Sequence, residues 1–423
     1  MFTFKARRWQ RQDCFLIALT LCPLPTLADE PRPVSVHETL PFGQSPIDYW
    51  NRKHEDNPLA DLQRRIETHD VELPYVETFG YLPAILKELN IPVESQLLRF
   101  RSGSPHRTHI TAERPRAIYF NDDVAVAWHP GTVLLEFATQ DPQKGTLFYT
   151  MVNRDDAVLE FHRGSSQACL GCHHKTTGGG SPATGVAVPG HLLQAQLGED
   201  AEKYFFGHVL THAAPVELRW EAWYVTGLRY DQRHRGNLSR PEDTRRFADD
   251  PTFHRPIIDL ADEFDTDRYL AATSDMVAHL IYDHQMLGQN LLSRLSYEHQ
   301  LHVRSDIESL LVRYLLLADE TSLDKPVLGK SAYADWYRHR GPKDDQGRSL
   351  LELDLETRLF RHRISPLVGS RMVQRLPAEA KQSLFARLNS VLTGTEMLEA
   401  YVISEADRQA TLEVLRATVP DWP

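Results

Sequence analysis

The feature that most constrains the fold is a change of hydrophobic period part-way along the chain. Before about residue 227, short runs rich in Val, Leu and aromatics alternate with turn residues: ESQLLRF, RAIYF, DVAVAWH, TVLLEFA, TLFYTMV and AVLEFHR. In DVAVAWH, Val124, Val126 and Trp128 share one face and Ala125 and Ala127 the other, the two-residue period of a half-buried strand. HPGT and TQDPQKGT carry the turn residues between runs. From about Asp262 the period becomes 3.6 residues, in YLAATSDMVAHLIYDHQMLGQNLLSRLSYEHQ, IESLLVRYLLLAD, AEAKQSLFARLNSVL and EADRQATLEVLRAT. The expectation is an α+β protein: an antiparallel β-rich domain at 95–230, a connecting segment at 231–262 and an all-helical domain at 263–423. Residues 29–94 read as coil with two short helices. HLLQAQL and RWEAWYVTG read as further strands of the same sheet.

Residues 1–28 place Lys5, Arg7, Arg8 and Arg11 before the apolar run CFLIALTL and end on Thr26-Leu27-Ala28. That order is expected of a cleaved signal peptide, and so of a periplasmic or otherwise exported protein. No later segment is apolar for long enough to span a bilayer. Residues 1–28 hold four of the 47 basic residues and one of the 58 acidic ones, so without them the formal net charge falls from −11 to −14. Such a net charge argues against nucleic acid or anionic lipid as a partner and permits steering toward a basic protein.

Two of the four cysteines lie in the signal-like segment; the other two stand in CLGCHH, residues 169–174. An exported chain meets oxidising conditions, but a disulfide between Cys169 and Cys172 would close only a tiny loop. C-x-x-C-H is the attachment pattern of c-type haem. Two thiols at this spacing can add to the two vinyl groups on one porphyrin edge, and the next residue, His173, then falls beneath the iron as an axial ligand. A zinc site would need His173 and His174 together with both thiols, and adjacent histidines complete a tetrahedron poorly. A thioredoxin-like motif would need a following helix, where this chain has TTGGG. The expected cofactor is therefore one haem c per chain, held by Cys169 and Cys172 with His173 on the iron, set in a β-rich scaffold.

RAIYFNDDVAVAW, DPQKGTLFYTM, CLGCH, VPGHL, RWEAWYVTG, RHRGNL, DHQ followed by NLLSR, and DDQGRSLLELDLETRLFRHRISPL resemble an uncharacterised family of exported bacterial single-haem c-type proteins, from about Pro41 to the C-terminus. The resemblance implies haem at Cys169 and Cys172 with His173 on the iron, and assigns no reaction. The chain departs from the family pattern at ISPLVGS and at His129.

The far side of the iron decides what such a haem does: a second protein ligand favours electron transfer, an open position favours chemistry on small molecules. Among 20 histidines, His284 is the leading candidate. It falls on the apolar stripe of Val277, Leu280, Ile281, Leu291, Leu292 and Leu295, with Gly288 one turn on to leave room for a macrocycle, while His279 and Asp283 lie toward a more polar side. Its alternative is a core histidine bonded to a neighbouring helix. His191, in VPGHLL, is the second candidate. His174 reads as a surface residue, His212 and His234 as loop residues, and Met151 as core. Asn121, Asp122 and Asp123 could do acid–base work, but turn capping is the commoner use of Asn-Asp-Asp; DLADEFDTD reads likewise as capping rather than as a calcium loop. The leading function is one-electron transfer by a periplasmic mono-haem cytochrome with a redox partner protein. The alternatives are a haem enzyme acting on peroxide or nitrogen oxides, and a haem-based redox or gas sensor.

Overall fold

The computed structural model describes residues 30–101, 108–165, 169–174, 184–192, 205–206, 209–227, 232–323, 325–327, 331–399 and 401–423. The signal-like segment lies outside them. Eleven strands are described: β1 (Arg32–Pro33), β2 (Leu97–Arg99), β3 (Arg116–Phe120), β4 (Val124–Trp128), β5 (Leu134–Asp141), β6 (Gly145–Val152), β7 (His162–Arg163), β8 (Phe205–Phe206), β9 (Val209–Leu210), β10 (Trp223–Tyr224) and β11 (Val303–Arg304). Seven of them form one antiparallel sheet in the order β10-β2-β3-β4-β5-β6-β7. The six alternating runs are β2 to β7 in sequence order, and β10, from RWEAWYVTG, closes the opposite edge. HLLQAQL does not join the sheet where it is described: His191 and Leu192 are coil, and its remaining residues lie outside the described ones. Among the described residues, β8 and β9 pair only with each other.

The helices are α1 (Pro58–Glu67), α2 (Leu82–Glu88), α3 (Leu170–His173), α4 (Pro241–Asp249), α5 (Met276–Gln300), α6 (Ile307–Leu315), α7 (Ala332–His339), α8 (Arg371–Gln374), α9 (Ala378–Leu392) and α10 (Glu405–Thr418). The protein is thus α+β, with the helices concentrated after the sheet. The connecting segment is not bare coil. It contains α4, and the fully buried Asn237 side chain bonds the backbone of Val225 and of Arg255.

α5 organises the molecule. Asp275 caps its start by accepting from the amides of Val277 and Ala278. At 25 residues it is about 37 Å long, and Met276 to Glu298 are buried without interruption. The expected polar side is absent. His279 and Asp283 face inward, because the helix runs between the sheet and the other helices and every face meets protein. Sheet and helices accordingly share one hydrophobic core.

The β5–β6 hairpin is fastened to the C-terminal end of α5. Asp141 Oδ1 accepts from the amides of Gln143 and Lys144 and shapes the DPQKG turn. The carbonyls of Pro142, Gln143 and Lys144 then accept from Ser296, Gln300 and Tyr297. Gly145 is required twice over: its φ is +70°, and an added Cβ would stand 2.9 Å from Ser293 Oγ.

Gly288 makes room for protein, which corrects the expectation that it leaves space for a macrocycle. An ideal Cβ there would lie 2.3 Å from Leu367 Cδ1 and 3.2 Å from Tyr314 Cε1. Gly288→Val is expected to cost about 1–3 kcal/mol by overpacking. Chemical denaturation measures this, and an unchanged midpoint would count against the close contact.

Candidate functional site

The cysteine motif follows the edge strand β7. Gly164 passes its amide to Phe148 O (2.7 Å) and continues the edge pairing by one residue. An ideal Cβ at Gly164 would lie 2.4 Å from Cys169 Sγ, so glycine allows the first cysteine to sit against the sheet. α3 is a single turn, anchored by buried Leu170 and closed by the His173 amide on Cys169 O (3.0 Å). Both thiols are free; Cys169 is half-buried and Cys172 exposed. Burial, then Glu136, raises the Cys169 thiol pKa.

His173 is clasped by Gly190 from two directions. The Gly190 amide donates to His173 O (3.0 Å), and His173 Nδ1 donates to Gly190 O (2.9 Å). Since a carbonyl only accepts, Nδ1 carries the proton and Nε2 keeps its lone pair. The Phe148 ring lies 4.4 Å from the imidazole, centre to centre. Burial lowers the His173 pKa, which favours the neutral, ligating form. His174 turns elsewhere, half-buried with its ring 4.6 Å from Phe42. Among the described residues, no group of three or more His, Cys, Asp or Glu is arranged to hold a metal ion.

Gly190 is itself positioned from α5. The fully buried Asn290 accepts the His191 amide (2.9 Å) and donates to His191 O (3.0 Å) and Thr184 O (3.2 Å). The absence of a Cβ at Gly190, which would meet Asn290 Oδ1 at 2.2 Å, permits this approach. A hydrogen-bonded path continues inward. His191 Nε2 accepts from Gln140 Nε2 (2.7 Å), Gln140 reaches Gln289 Oε1 (3.2 Å), and Gln289 Nε2 donates to Asp122 O (2.7 Å). Burial holds the His191 pKa down at about 3.

The two expected distal residues are therefore placed differently. His191 directly follows Gly190, whose carbonyl accepts from His173 Nδ1. His284 joins a separate buried cluster: Nε2 meets Ser365 Oγ (2.6 Å), Nδ1 meets His212 Nδ1 (3.4 Å), and the ring is stacked with those of His212 and Tyr314. The contact to Ser365 is the core arrangement weighed for it from sequence. Burial, then Arg219, lowers its pKa to about 3. His212 and His234 lie in loop segments, as expected, and both are buried there. Met151 lies in the core on β6, opposite Leu135. Asn121 Oδ1 accepts from the amides of Asp123 and Val124, as expected of a turn cap, and Asp259 and Asp265 cap short 3-10 turns.

Sequence reasoning passed over Asn290, Gln289 and Gln140. The available signal was the run of polar residues (Gln285, Gln289, Asn290, Ser293, Arg294) inside an otherwise apolar helix.

His279 offers a clean pH test. Its Nε2 donates to Tyr224 O (3.0 Å), and burial lowers its pKa to about 3. The unfolded chain therefore takes up the proton first. The stability tied to the neutral ring is complete above about pH 6.5 and lost as pH falls toward 3. Compared with His279→Gln, the wild type should lose about 2 kcal/mol between pH 7 and pH 5. Parallel pH profiles of the two would contradict the burial.

No protein-family model, curated protein or solved structure matches the chain.

Proposed function

We propose that the protein is an exported mono-haem c-type cytochrome, with haem bound through Cys169 and Cys172 and His173 on the iron, and that it transfers single electrons. The observation that carries this reading is the hydrogen bond from His173 Nδ1 to Gly190 O. In a C-x-x-C-H turn it presents Nε2 as the ligating nitrogen, in the tautomer and orientation that an outer carbonyl ordinarily enforces on an axial imidazole. The two free thiols one turn apart suit two thioether bonds, and Gly164 accommodates the first sulfur. When bound, the haem supplies a reversible one-electron iron couple. The chain's own residues hold it and fix the imidazole, and exposed Cys172 brings one attachment point to the surface, where a partner protein can approach. The acidic net charge suits a basic partner.

A second reading is a haem enzyme acting on peroxide or nitrogen oxides. It is favoured by the engagement of His284 with Ser365 and His212, and of His191 with Gln140. Visible spectra of the purified protein, oxidised and reduced, separate the two. Low-spin six-coordinate iron in both states supports electron transfer; high-spin ferric iron that binds added cyanide supports the enzyme. His284→Ala is expected to leave the spectrum unchanged, and a low-to-high-spin change in that variant would restore His284 as the ligand. A protein without haem absorbance after maturation in a host competent for haem c attachment overturns both readings.

A further inference from the structure

We propose that the cavity between the β3–β4 turn, α5 and α7 binds a small organic cation, an ammonium or guanidinium group carried on an apolar body. Its volume is about 410 Å³, within the range that accepts a small molecule and large for a bare ion. The acidic end is built from adjacent carboxylates in unlike situations. Asp122 is neutralised by Arg340, which grips both its oxygens (2.5 and 2.7 Å), and it also accepts from Gln285 (2.7 Å). Arg340 cannot readily turn away, since its guanidinium lies over the rings of Trp336 and Tyr337, 4.7 and 4.5 Å from their centres.

Asp123 lines the same cavity, half-buried, and among the described residues its carboxylate accepts no hydrogen bond. Arg340 and Arg371 both act on it electrostatically, but each is already committed, Arg340 to Asp122 and Arg371 to Asp56. Three carboxylates thus share two guanidinium groups, and one negative charge remains to be answered from within the cavity. Burial, then Asp122, pushes the Asp123 pKa up to about 6, so a bound cation would also relieve a strained ionisation. The cavity is also lined by the apolar side chains of Ile281, Phe360, Leu367 and Val419. An occupant with a charged head at Asp123 and a hydrocarbon body against these side chains satisfies both ends.

The test uses three probes of one shape on the purified full-length protein: benzylammonium, benzyl alcohol and benzoate, each titrated by calorimetry. Benzylammonium is expected to bind about ten-fold or more tighter than the alcohol, as one charge-assisted contact allows, and benzoate not measurably. Asp123→Asn, of the same shape without the charge, should bring ammonium and alcohol to equal affinity. Equal binding of all three probes by the wild type, preference for benzoate, or an unchanged preference in Asp123→Asn would each overturn the proposal. The wild-type comparison decides the matter even if the variant does not fold. None of these outcomes depends on the haem.

Discussion

Wild-type chain denatured in SDS is expected to retain a haem-peroxidase stain, and Cys169→Ser combined with Cys172→Ser to abolish it. Thioether bonds survive unfolding, whereas a haem held by His173 alone is released with the fold. On the proposed attachment the effect would be all-or-none, with each cysteine supplying one of two covalent links and serine none. The single variants sharpen the result. Cys172 is exposed and Cys169 half-buried against Gly164, so either change should leave one link, a stained band and a shifted absorption maximum. Wild-type protein matured in a competent host and negative for the stain would remove the cytochrome reading altogether. Retained stain in the double variant would place the attachment elsewhere.

The largest expected effect on stability lies at the other end of α5. The Arg294 side chain is fully buried and bonded on every side. Nε donates to Glu298 Oε1 (2.7 Å), Nη1 to Glu38 O (2.5 Å) and Val186 O (3.2 Å), and Nη2 to Ser35 O (2.9 Å). Glu298 in turn accepts from the Ser305 amide (2.8 Å) and hydroxyl (2.6 Å). Burial lowers the Arg294 pKa and the Glu298 bond opposes that shift. Glu298→Ala strands a buried guanidinium and should cost about 3–5 kcal/mol. The double change Arg294→Met, Glu298→Leu removes both charges and should cost less than either single change, because neither partner is left uncompensated. Urea denaturation of the wild type, Arg294→Met, Glu298→Leu and the double variant measures it. If the double variant lost the sum of the two single losses, the pair would not be coupled. Arg294 also holds Val186, four residues before Gly190, so the single variants are expected to loosen the clasp on His173.

The cysteine motif and the strand–helix division were legible in the sequence because both rest on local rules. A C-x-x-C-H spacing needs only one turn of backbone to bring two thiols and an imidazole together. Strand alternation and helical period report which face of an element meets the core. β2 to β7 could be read this way, and the caps at Asn121, Asp259 and Asp265 follow from short-range hydrogen bonding. Periodicity misjudged α5 because it assumes a helix with one face in water. A helix buried on all sides carries polar residues wherever a partner exists for them, and its pattern then records partners hundreds of residues away.

What only the tertiary structure decided is which polar groups meet. His284 looks free on a helical wheel, and folding brings Ser365 and His212 to its two nitrogens. Asn290 looks like an interruption in an apolar stripe, and folding sets it on the backbone beside Gly190, behind the histidine of the cysteine motif. Asp122 and Asp123 are one residue apart and chemically equivalent in sequence. One is paired by Arg340, 218 positions away, and the other is left facing a cavity. Local sequence determines the conformation each segment prefers, since that depends on neighbours a few residues off. The satisfaction of a buried polar group depends on whatever the packed chain brings within about 3 Å, and no local pattern contains that distance.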